Sequence, residues 1–385
     1  MAEQKTTAPG KDTRRAQPRK RANGARRMNR RPSSGSTLQP KLKETAKVPP
    51  PTEDTVRIIP LGGVEEVGRN MTALETAEDI LVFDAGFQFV SEEAPGVDYV
   101  LPNTKYLEER KEKVRALLVT HGHLDHIGGI PYIMERIGNP PIYTTELTSM
   151  MIQKRAEEFP QFKQSAMKVV GENETFTLGK LKVKTFPVTH SIPDSVGFAV
   201  STKFGNVLIS GDLKLEHTDG IPSEREEKTW GDLAKEDTLL LIADSTNAEK
   251  SGFSVPEPVV YQTLEDIIHG AQGRVIIGTF ASQFERMIKI IEVCEKLGKH
   301  IVAEGRSIKT NLEIAQRAKR VTVKSDTIIS PQEADNYPPD KIVLIVTGAQ
   351  GEEFAALSRI ATGRHKFLRL NPRDTVVLSS SVIPG

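Results

Sequence analysis

The sequence predicts an α/β protein of two folded units behind a basic tail, and three observations carry that prediction. At 385 residues the chain exceeds what one hydrophobic core usually serves. From Val56 to Asp244 short apolar runs alternate with turn residues, as strands do. Beyond Asp244 similar runs alternate with stretches of helical periodicity, the pattern of a mostly parallel sheet.

The first unit is expected to take its strands from VRIIPLGG, MTALET, DILVFDAG and, after a helical stretch, RALLVTHGH. A second series follows in LKVKTFPVTH, VGFAVST, NVLISGD and TLLLIAD. Several of these runs end on an ionisable residue: Asp84, His121, His190, Asp212 and Asp244. Strand ends that share one rim of a sandwich would bring those side chains together. The second unit reads as GRVIIGTF, KHIVAEG, DKIVLIVTG and RDTVVLSS, alternating with helices near 257–269, 284–297, 307–317 and 352–361. Ligands of such parallel sheets bind at strand carboxyl ends. The last run has no helix after it to cover it, so the chain is expected to be incomplete on that side.

The net charge of +1 conceals an asymmetry. Residues 1–48 carry 14 Lys and Arg against Glu3, Asp12 and Glu44, a net of +11, which leaves −10 for the remainder. This stretch is rich in Pro, Gly, Ser and Thr and nearly free of large apolar residues, so burial cannot offset the entropy of ordering it. Residues 1–54 are therefore expected to form a disordered basic tail. Its run Arg26, Arg27, Arg30, Arg31 suits a phosphate backbone, or serves only as a solubilising extension.

No apolar run approaches the roughly 20 residues of a membrane-spanning helix. Cys294 is the only cysteine, which excludes an intrachain disulfide and a thiolate metal cluster within the chain and fits a reducing compartment. The N-terminus lacks the apolar core of a secretory signal, so a cytoplasmic location is expected, with an organelle transit peptide as the alternative that its Arg-rich, acid-poor character leaves open.

The most informative stretch is HGHLDH, in which His121, His123, Asp125 and His126 follow the run RALLVT directly. Gly122 gives the turn the freedom to fold these side chains around one point. Imidazole and carboxylate donors suit zinc, and few protein donors leave a position open for water. A lone histidine is more often a packing or surface residue, which is the reading for His217, His269, His300 and His365. Trp230 and Cys294 are read as structural. Donors at this spacing, joined by His190 and Asp212 at later strand ends, point instead to a metal centre.

HGHLDH is similar to the HxHxDH signature of metallo-β-lactamase-fold hydrolases, with Asp84 in FDAG, His190 in VTHS and Asp212 in SGD matching that superfamily's other motifs in order. Asp244 in DSTN resembles the acidic motif that opens the β-CASP insertion of nucleic-acid-processing members. PLGGVEEVGRNM, GDLKLEHT, TFAS and VTGAQGEEFAALSRIATG resemble the ribonuclease J family, nearly continuously from Val56 to Gly385.

The resemblance implies a four-layer αββα sandwich over residues 55–244 and an inserted parallel-sheet β-CASP domain, truncated, over 245–385. It implies two zinc ions per complete protomer, with manganese or magnesium as substitutes. His121, His123 and His190 would hold one ion, Asp125 and His126 the other, and Asp212 both, while Asp84 orients a ligand. Asp84, Asp125, Asp212 and Asp244 are the implied catalytic carboxylates. Phe280, Ala281, Ser282, Gln283, Gly348, Gln350 and Gly351 sit on strand-to-helix turns where free backbone N–H groups favour phosphate, although packing alone also explains such turns.

The implied activity is 5′-to-3′ exonuclease and endonuclease cleavage of RNA in messenger decay and ribosomal RNA maturation, in a homodimer or homotetramer and an RNA-degradation complex. The family's HxSGH motif and a further metal-binding His are absent from these 385 residues, so the second metal site is expected to be weakened. The rival readings are a DNA-processing nuclease or other hydrolase of the superfamily, and an inactive RNA-binding scaffold. DSTN and TGAQGE weigh against a small-ester hydrolase, and the intact donor set weighs against a scaffold.

Overall fold

The computed structural model describes residues 48–90, 96–349 and 355–380. Gln350 and Gly351, most of the basic tail and residues 381–385 lie outside the described residues.

A six-stranded sheet runs in the order Arg57–Gly62, Met71–Glu75, Ile80–Phe83, Val114–Leu118, Ile142–Thr144, Met167–Val169. Its first three strands are antiparallel and the rest parallel. A five-stranded sheet faces it, in the order Thr238–Ile242, Gly205–Ile209, Val196–Thr202, Leu181–Pro187, Thr175–Leu178.

Side chains alternate across each strand, so one strand serves two cores. Leu81 and Phe83 point into the space between the sheets and meet Val183, Phe198, Val200 and Ile209 there. Ile80 and Val82 point the other way, onto Ile127, Ile130, Ile133 and Ile152 of the covering helices. On the far side Phe186, Ala199 and Leu208 carry Leu233 and Trp230 of helix Glu224–Leu233. Helix, sheet, sheet and helix thus form the four layers expected.

A separate sheet of four strands, all parallel, runs in the order His300–Glu304, Ile342–Val346, Val275–Thr279, Thr375–Ser379. Helices Glu257–Gly270, Phe284–Leu297 and Arg306–Arg317 cover one face, and Ala356–Ala361 covers the other. The expected helix over 352–361 is described only from Ala356 onward. One edge is less covered. Leu239, Leu240 and Leu241 of the outermost strand Thr238–Ile242 are 48%, 40% and 48% exposed, and among the described residues no strand pairs with its outer side.

Candidate metal centre

The site is built where the strand Val114–Leu118 leaves the first sheet. Val119 and Thr120 are buried, and a tight turn then carries His121 to His126 into the short helix Leu124–Ile127. The neighbouring strand exit stitches this turn in place. Ala85 N donates to His126 O at 2.8 Å, Asn70 N to Asp125 O at 3.0 Å and Gly86 N to Asn70 O at 3.0 Å. The approach is so close that a Cβ on Gly86 would lie 1.5 Å from Asp125 O. Gly211, at φ 63° and against Thr120, turns the chain so that Asp212 enters from the second sheet.

Six side chains converge. Donor atoms of His121, His123, His190 and Asp212 all lie within 4.8 Å of one another, and those of Asp125, His126 and Asp212 form a second such group. Asp212 belongs to both. Its Oδ2 lies 3.8 Å from His121 Nε2 and 3.9 Å from His190 Nε2, while its Oδ1 lies 3.1 Å from His126 Nε2.

The hydrogen bonds around the rings fix which nitrogens face the centre. Asp84 Oδ1 accepts from Thr120 N at 2.9 Å, and the Thr120 hydroxyl donates to the same carboxylate. That hydroxyl has no second proton, so His121 Nδ1 donates to it at 3.0 Å and His121 Nε2 presents a lone pair. His126 Nδ1 donates to Asp84 Oδ2 at 2.9 Å and likewise turns Nε2 inward. His123 Nε2 is paired with Ser191 Oγ at 3.2 Å, leaving Nδ1 3.0 Å from His121 Nε2 and 3.1 Å from His190 Nε2. Three ring nitrogens cannot all be satisfied by one proton among themselves. A cation between them satisfies all three, since two nitrogens on one tetrahedral zinc lie roughly 3.3 Å apart at ordinary Zn–N lengths.

Electrostatics agree with a cation-binding cluster. Burial, then repulsion from the neighbouring imidazoles, holds His121 well below the usual histidine range and His123 down to about 3. Burial also lowers His190. For His126 burial is outweighed by Asp212, Asp125 and Asp84, which raise it well above the usual value. Against the same burial, the facing histidines depress Asp212 and Asp125.

Asp244 follows the strand Thr238–Ile242 and accepts from Thr246 N at 2.7 Å and Thr246 Oγ1 at 2.6 Å; it is not among the converging donors. Phe280 to Gln283 form a half-buried turn at the carboxyl end of Val275–Thr279, where Asn311 Nδ2 donates to Ala281 O at 2.8 Å. Gly348, at φ 110°, follows the strand Ile342–Val346, and a Cβ there would meet Ala355 at 2.8 Å. His217 and His365 are engaged elsewhere, with Ser254 O and Glu304.

Sequence reasoning assigned no role to three residues that the structure places against the donors. Asn70 Nδ2 reaches Asp125 Oδ2 at 3.1 Å and His126 Nε2 at 3.0 Å. Thr120 links Asp84 to His121, and Ser191 holds His123. The only signal for Asn70 was its place in GRNM.

The family described as "Metallo-beta-lactamase superfamily" matches residues 64–250, and "Ribonuclease J, beta-CASP domain" matches residues 272–385. A metallo-β-lactamase region and a ribonuclease J β-CASP region thus follow one another in this chain. It is 35% identical to ribonuclease J of Mycoplasma pneumoniae over 86% of this chain and 58% of that protein. It is 37% identical to ribonuclease J of Mycolicibacterium smegmatis over 89% of this chain and 61% of the relative. With ribonuclease J2 of Bacillus subtilis it shares 35% over 86% of this chain and 60% of the relative. The chain therefore spans about three fifths of the length of these ribonucleases J. A crystal structure of a protein from Enterococcus faecalis V583 shares the fold, with a TM-score of 0.59 and 16% identity over 84% of this chain and 89% of the other. The His and Asp cluster of this chain fits metal binding.

Proposed function

We propose that this chain carries the metal centre of a zinc-dependent ribonuclease that hydrolyses RNA phosphodiester bonds, with 5′-to-3′ exonuclease and endonuclease activity. The observation that supports it best is the position of Asp212, whose two oxygens each face one donor group. His121, His123 and His190 would hold one cation and Asp125 and His126 the other, with Asp212 belonging to both donor groups. Manganese and magnesium are the alternative ions. When bound, such a pair supplies Lewis acidity toward phosphate oxygens and lowers the pKa of water to about 7.

The chain's own residues do the rest. Asp84 keeps a proton on His126 Nδ1 and, through Thr120, fixes the ring of His121. Asn70 orients Asp125, and Ser191 orients His123. Asp84, Asp125, Asp212 and Asp244 are the carboxylates of the proposed catalytic set, and Asp244 is held by Thr246 rather than by the converging donors. The turn of Phe280, Ala281, Ser282 and Gln283, with Gly348, Gln350 and Gly351, contacts the RNA strand. Domain limits of 55–244 and 245–385 behind a tail of 1–54 go with this reading, as do a homodimer or homotetramer, an RNA-degradation complex, messenger decay and ribosomal RNA maturation, and a cytoplasmic location.

The test compares single-stranded RNA bearing a 5′-monophosphate, its 5′-triphosphate twin, single-stranded DNA and a thioester. The zinc-loaded chain is expected to cleave the monophosphorylated RNA fastest, with little activity because the second donor group has three members among the described residues, and to stop when chelated. Turnover of the thioester with RNA left intact would overturn the proposal.

A further inference from the structure

Two of the six donors, His190 and Asp212, lie outside the HGHLDH turn, on loops that leave the second sheet. Both loops are held from the side of the parallel sheet. Loop 188–195 closes through Val188 N to Ser195 O at 3.0 Å and Ser195 Oγ to Ile192 O at 2.7 Å. Inside that closure Ile192, two residues past His190, is 1% exposed and packs in the core formed by Phe284, Met287 and Ile308.

Asp194, on the same loop, is in the left-handed region at φ 57°. Its carboxylate accepts from Leu147 N and Thr145 Oγ1, both at 3.3 Å, and pairs with Arg320 at 2.8 Å. Arg320 is aimed by the end of helix Arg306–Arg317: Lys319 turns left-handed at φ 55°, and Arg320 N donates to Ala315 O at 2.9 Å.

The Asp212 loop is held in the same way. Lys214 N donates to Thr189 O at 2.8 Å, tying the two loops to each other. Lys214 Nζ reaches Glu257 Oε1 at 3.0 Å, at the start of helix Glu257–Gly270. Arg286 grips both oxygens of Glu257 at 2.8 and 2.9 Å and donates to Ser379 O at 3.0 Å, at the end of strand Thr375–Ser379.

We propose that Arg320 and Glu257 are positioning residues of the metal centre, through which the parallel-sheet unit fixes the loops that bear His190 and Asp212. The inference rests on the metal-centre reading above. Exposed ion pairs contribute little by themselves. Here, however, the Asp194 side chain is only 10% exposed, so removal of Arg320 leaves a nearly buried charge to be re-solvated and its loop moves to do so; neutralising Glu257 leaves Arg286, also 10% exposed, without its carboxylate and releases Lys214 of the Asp212 loop. Loss of partners that orient a donor from outside the ligand set lowers metal affinity by about 10- to 100-fold.

The test uses the 385-residue chain with Arg320→Met, Glu257→Gln, the two combined, and Arg320→Lys. Co2+ affinity is measured against a competing chelator, with the visible Co2+ spectrum and the melting temperature of the metal-free protein as further readouts. Each single change is expected to weaken Co2+ binding about tenfold and shift the spectrum, while metal-free melting moves little and Arg320→Lys recovers most of the loss. Wild-type affinity and spectrum in the combined variant would overturn the proposal. So would an affinity loss that Arg320→Lys fails to recover and that only follows lost stability. The readout involves no RNA, so failure of the nuclease reading is seen separately; a wild-type chain that takes up no Co2+ overturns both.

Discussion

Asp84 sits in the left-handed region at φ 58°, a conformation that costs a side-chain-bearing residue about 1–2 kcal/mol. The cost is offset by four contacts that its carboxylate makes with Thr120 and His126. Asp84→Asn keeps the size but loses the charge opposite His126, so the chain is expected to stay folded by circular dichroism while zinc affinity falls about 10- to 100-fold. Unchanged metal content after dialysis would contradict this. His126 also predicts a pH dependence. Its raised pKa means that the metal-free protein carries a proton there near neutrality, which a cation must displace. Metal affinity should therefore rise with pH until His126 deprotonates unaided. Calorimetry in buffers of different ionisation enthalpy is expected to show about one proton released per second-site ion. At this scale the HGHLDH donors were legible because several stand within one turn. Asn70, Thr120 and Ser191 were not, because an uncharged polar residue carries no sign of the partner that folding brings to it.

Among the elements, the turn after Ile80–Phe83 is the tightest constraint. Any side chain at Gly86 must push aside the Asp125 carbonyl, which is backbone and cannot rotate away. Gly86→Ala is expected to cost roughly 3 kcal/mol, the upper end of overpacking penalties, in urea denaturation. A loss under about 0.5 kcal/mol, typical of surface changes, would mean that the turn relaxes freely. Strands were readable from sequence because each apolar run is short and bounded by turn residues. TLLLIAD, NVLISGD and KHIVAEG all became strands. The helical stretch expected before RALLVTHGH is only the turn Lys105–Glu108 and a 3-10 segment, Lys111–Lys113. Arg110, at φ −134°, breaks the helix between them. Helix Glu224–Leu233 leaves little apolar signal in the sequence because it is mostly charged; it is held by its Ser223 cap and by Glu226, which pairs with Thr189 and Trp230.

For the molecule as a whole, residues 50–385 form one compact unit. The sequence divides at Asp244 into two textures, yet Leu147 and Ile192 from the first lie in the core of the second. No periodicity marks such a crossing, because a single isoleucine in a loop looks the same whether it is exposed or inserted in a neighbour. The same scale shows a liability in the strand Thr238–Ile242. Its three half-exposed leucines line an edge whose backbone donors and acceptors are a template for any other extended chain. As concentration rises, the polypeptide should become sticky, scattering light through edge-to-edge joining rather than through loss of structure. Leu240→Lys, a charged gatekeeper in mid-strand, is expected to quiet that scattering while leaving the melting curve in place.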